Sequence, residues 1–172
     1  MSATAKGGGS ATTQLGPPGR VREITIPPDA EALSTLPRVD YTDGFLLTVP
    51  RIRERTAQEW ARAMLEGASA STRSELRRGW FVLGVRLGST EDRHRVLGWQ
   101  VRRSSPDVAL LAADSLFGMQ AEILFRRERE ALLVATIMKL NNVPFRAFWT
   151  VFSAQHRRVV RGLLKDCGKR WL

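Results

Sequence analysis

With 172 residues, 43% of them hydrophobic, the chain has the size and apolar content of one folded domain rather than of a disordered polymer. Its single cysteine, Cys167, excludes an intrachain disulfide and a thiolate-built zinc site, and it fits a reducing, cytoplasmic setting. The formal net charge of +10 invites an anionic partner. No secretory h-region and no run of ~20 apolar residues occurs, so neither export nor a membrane span is expected.

Residues 1–38 are rich in Gly, Ser, Thr and Pro ("GGGS", "GPPG", "IPPD"). With few large apolar groups to offset the entropy of ordering, they read as a flexible N-terminal arm, in which "VREITI" has the alternation of a short edge strand. Order is expected from residue 39, in a domain spanning 39–172. "RVDYTDGFLLTVP" is a β-type run closed by Pro50. "TAQEWARAMLEG" is a helix opened by a Thr56/Glu59 capping box and stopped at Gly67. "STRSELRRGWFVLGVRLG" is a second helix, with Thr72 and Glu75 as cap and box, Leu76, Trp80, Leu83 and Leu87 on one side, and Gly88 as its end.

From residue 96 the period changes from helical to two. "VLGWQVRR", "VALLAADSLFG", "MQAEILFRR" and "ALLVATIMKL" are separated by short turns, which predicts an antiparallel meander. In the last stretch, Phe145, Phe148, Trp149, Phe152, His156, Val159, Val160, Leu163, Leu164 and Cys167 recur every three or four residues. That stripe predicts a long amphipathic helix, about 39 Å if unbroken. From Phe145 onward seven basic residues face one acid, and the arginines lie mostly off the stripe.

This order (strand, two helices, meander, long final helix) resembles the helix-grip superfamily, the START and polyketide-cyclase-like group also called SRPBCC. The segments that carry the likeness are "DYTDGFLLTVP", "VLGWQVRRSSPDVALLAADS" and "FRAFWTVFSAQHRRVVRGLL", within residues 39–170. The resemblance implies an α+β fold, a curved antiparallel sheet gripping the last helix, with a cavity between them that holds an apolar molecule in many relatives. The full family sheet has seven strands and five are legible here. Either a short strand hides between Gly88 and Val96 or the sheet is trimmed.

On this layout Trp99, Phe125, Thr136, Met138, Trp149 and Phe152 are the expected cavity lining, or equally ordinary core. His156 lies on the apolar stripe: as a ligand anchor, as a general acid or base, or as a core histidine bonded to a neighbour. Asp114 interrupts an apolar run, either on the cavity wall or exposed at a strand end.

Two strands, "VALLAADSLFG" and "ALLVATIMKL", are apolar on both faces, so the second face needs a cover: a homodimer through the sheet, or the arm. Arg157, Arg158, Arg161, Lys165 and Lys169 fit a solvated helix face, and no helix-turn-helix, zinc-finger or RNP signature accompanies them, which speaks against nucleic acid. No phosphate-loop, dinucleotide, nucleophile-elbow or zincin motif occurs, so no cofactor or metal is expected. The leading expectation is a protein that binds an apolar or amphipathic small molecule without obligatory catalysis. The alternatives are a cyclase- or aromatase-like enzyme on the same scaffold and a basic anion- or nucleic-acid-binding module.

Overall fold

The computed structural model describes residues 16–171. Seven strands, β1 (Val21–Ile24), β2 (Tyr41–Thr48), β3 (Arg95–Val96), β4 (Trp99–Ser104), β5 (Val108–Asp114), β6 (Met119–Arg127) and β7 (Ala131–Leu140), form one antiparallel sheet. Their order across the sheet is β1-β2-β7-β6-β5-β4-β3. Four helices accompany them: α1 (Pro28–Glu31), α2 (Ala57–Leu65), α3 (Ala70–Val82) and α4 (Val143–Trp171). The fold is α+β in a helix-grip layout, with α4 laid against β1, β2 and β7.

The two strands beyond the five legible ones sit at the sheet's edges. Strand β3 lies in the segment before Val96 and turns into β4 through Leu97 and Gly98, both at positive φ (47° and 91°). Two such residues make the primed two-residue turn whose twist suits a hairpin. Leu97 tolerates the left-handed backbone while its N–H donates to Glu66 Oε1 at 2.9 Å. The other edge, β1, comes from the segment read as a flexible arm. From residue 16 onward that reading is corrected: β1 pairs with β2, and Arg161 and Arg157 of α4 reach its Glu23 at 2.7 and 3.8 Å. The part of the arm before residue 16 lies outside the described residues.

Both faces of the sheet are buried, by different means. On one, Phe45, Leu47, Phe125, Leu132 and Val134 join α2, α4 and Leu76 of α3 in the larger core. On the other, Leu110, Leu124, Leu133 and Ile137 are covered by Ile26, Ala30, Leu33, Leu36 and Val39. The apolar second face that called for a homodimer is therefore closed by the chain's own residues 26–39. Composition misjudged this stretch because its apolar side chains are few, but they are spaced to seal one narrow strip.

Glu122 fixes that cover. It is fully buried on β6 and accepts hydrogen bonds from Ser34 Oγ (2.6 Å), the Thr35 N–H (3.1 Å) and the Thr35 hydroxyl, with Arg102 at 3.9 Å. A carboxylate in such a place persists only with this many donors.

The capping box of α2 is present as read, Thr56 Oγ1 accepting from the Glu59 N–H. Helix α3 differs at both ends. Ser69, not Thr72, is its N-cap, accepting from the Thr72 N–H at 3.2 Å. The helix stops at Gly84 rather than Gly88, because Gly84 takes φ 66° and the ring of Phe117 packs where a Cβ would stand. Among the described residues no helix is long and apolar enough to cross a membrane.

Candidate functional site

Between the sheet and helices α3 and α4 lies a cavity of about 340 Å³, within the range of small-molecule sites. Strand parity builds its floor. Thr136 and Met138 of β7 project the same way as Val134, and their cross-strand partners Ile123 and Ala121 of β6 complete that surface. Helix α4 supplies one wall through Trp149, Phe152, His156 and Val160, spaced at three or four residues. The opposite wall is α3, with Leu76 and Trp80, backed by Trp99 of β4, whose ring meets Trp80 edge-on at 5.5 Å.

Six of the eight side chains expected at the site line this cavity: Trp99, Thr136, Met138, Trp149, Phe152 and His156. The other two are corrected. Asp114 shares its strand face with Leu110 and Ala112, opposite the cavity, and stands exposed at the end of β5 beside Gln120. Phe125 shares the cavity's face but is fully buried in the core outside its wall.

One corner of the apolar chamber is polar. His156 Nε2 lies 3.2 Å from Asp43 Oδ2 and 3.1 Å from Thr136 Oγ1, and Tyr41 donates its hydroxyl to the same Asp43 oxygen at 2.7 Å. Asp43 and Thr136 are direct cross-strand partners, so the sheet register places them and the turn of α4 brings His156 down onto both. Trp149 packs on the edges of the cluster, 5.4 Å from Tyr41 and 5.3 Å from His156 between ring centres.

Burial alone would push the Asp43 carboxyl up. The His156 contact, with Tyr41 and Thr136, outweighs it and holds the group below the ordinary carboxylate value. Burial and the neighbouring carboxylate both push the Tyr41 phenol up, so it stays a donor. The ionised Asp43 thus orients His156 from behind.

Three buried polar atoms have no partner among the described residues: Asp43 Oδ1, Trp99 Nε1 and Trp149 Nε1. Both tryptophans belong to the cavity wall. Asp43 was missed on reading the sequence, although its signal was there: in "YTDGFLL" it has the parity of Phe45 and Leu47, a carboxylate on the buried side. Cys167 is buried in the core, where burial pushes its thiol up despite Arg170 nearby, and it takes no part in the site. Among the described residues no cluster of three or more His, Cys, Asp or Glu is placed to hold a metal.

The chain matches no family model, no curated protein and no solved structure.

Proposed function

We propose that this chain is a small-molecule-binding protein of the helix-grip type, holding an apolar or amphipathic ligand between α3, α4 and the sheet. The observation that carries this reading is the cavity itself. An apolar chamber of about 340 Å³ with one organised polar corner is expensive to keep in a protein interior, where voids larger than a water are few. Burying about 250 Å² of apolar ligand surface supplies roughly 6 kcal/mol of gross driving force. His156 and Thr136, polar groups of the cavity wall, favour a ligand that carries an oxygen function beside its apolar bulk.

A second reading, proton transfer to or from the bound molecule, has one observation in its favour: a buried carboxylate set behind a histidine on the cavity wall. The anion-binding alternative is less supported, since Glu23 already engages Arg157 and Arg161 on the outer side of α4.

Melting curves with tetralin and 1-tetralone, joined to native mass spectrometry of the purified protein, test the binding reading. A ligand at a hundred times its Kd raises the melting temperature by about 5–10 °C. Gly79→Leu should abolish that rise, because Gly79 belongs to the cavity's lining and a Cβ there meets no atom within 4 Å, leaving room for a larger side chain to take up ligand space. No shift with either compound and no co-purifying molecule would contradict the reading.

A further inference from the structure

At the end of the molecule where α3 stops, apolar side chains face outward. Phe81 (82% exposed), Val82 (71%) and Val143 (76%) join Leu116 and Phe117 of the β5–β6 turn. Hydrogen bonds bring these three elements together: the Leu116 N–H donates to the Gly84 carbonyl at 2.9 Å, and Asn142 Nδ2 donates to the Phe117 carbonyl at 2.8 Å. Phe117 also lies against Gly84. The five side chains are thus held on one rim by a rigid framework, which scattered exposed hydrophobics are not.

The rim carries positive charge. Arg77 and Arg78 stand one turn back on α3, and Arg86 follows Gly84; all three are exposed and form no ion pair among the described residues. The acids on these elements point elsewhere, Glu75 to the cavity mouth and Asp114 to the opposite sheet face.

We propose that this rim docks on an anionic lipid bilayer, the five apolar side chains entering the interface and the three arginines meeting the headgroups. Shallow apolar insertion and basic charge are the two signals that together give stable surface binding. A second copy of the chain suits the rim less well, since a symmetric contact sets its own arginines against each other. The same three elements carry Trp80 and Leu83, Met119, and Trp149 into the cavity wall, so docking would bring the chamber's wall to the membrane.

Flotation of the full chain, without added ligand, on neutral phosphatidylcholine vesicles and on vesicles containing phosphatidylglycerol tests the proposal. The expected result is at least ~10-fold stronger partition to the anionic vesicles, weakening as salt rises, and a ~10-fold loss in the Phe81→Asp/Leu116→Asp variant with its melting temperature unchanged. Both positions are exposed, so folding should survive. Binding to neither vesicle, or binding the variant leaves intact, overturns it. So does a dimer in light scattering that the variant dissolves, which would assign the rim to a second copy. The tetralone experiment reads the cavity separately, so either proposal can fail without the other.

Discussion

The two faces of the sheet start from similar strands and end differently. Residues 26–39 cover one face closely, sealed by small and aliphatic side chains and by the hydrogen bonds to Glu122. On the other, α2 and the ends of α4 pack tightly while α3 stands off and leaves the chamber. Only Leu76 of the thirteen residues of α3 is buried, whereas α2 buries six of nine. A close cover gives stability; a loosely held helix gives room for a guest.

Within the cavity-bearing face the contrast is sharpest between two phenylalanines. Phe125→Ala should cost about 4 kcal/mol in urea unfolding, the usual penalty for emptying a fully packed site, and Phe152→Ala about 1 kcal/mol, because its ring already borders open space. Equal losses would mean that the chamber is closed in solution.

Next in size is the seal of the opposite face. Glu122→Ala leaves the Ser34 and Thr35 donors without an acceptor and should cost about 3 kcal/mol. It should also speed tryptic cleavage after Arg38 while leaving ligand-induced melting shifts in place. A loss of those shifts would show that the two faces are coupled.

A smaller loss than that of Phe125→Ala or Glu122→Ala is expected at the polar corner. Asp43 is held below its ordinary value, so its ionised form stabilises the fold. That contribution is fully present above about pH 4 and is lost as pH falls through the lower folded value. Asp43→Asn should therefore cost about 2 kcal/mol at pH 7, with the gap to the parent protein narrowing below pH 4. A gap that widens on acidification would reverse the assignment.

Strand and helix periodicity made the meander, α2 and α4 legible, and the stripe on α4 led directly to Trp149, Phe152 and His156. The N-terminal segment was not legible, because its order depends on pairing with β2 and on a distant carboxylate. Glu122 shares its strand face with Gln120 and Arg126 as well as with Leu124, a mixed pattern, and nothing local records that residues 34–36 bury it. Asp114 misled for the opposite reason: its neighbours are apolar on both faces, so parity alone could not say which side it took. The stand-off of α3, which makes the cavity, is a matter of tertiary packing and leaves no trace in spacing.

Three of the chain's four methionines, Met64, Met119 and Met138, lie in the cavity wall. Methyl NMR of the methionine-labelled protein during titration with 1-tetralone therefore reads the chamber from three elements at once. Saturable shifts at all three methyls, lost in Gly79→Leu, are the expected result. Methyls that stay unmoved while the compound binds elsewhere, or does not bind, would contradict a ligand chamber between the sheet and its helices.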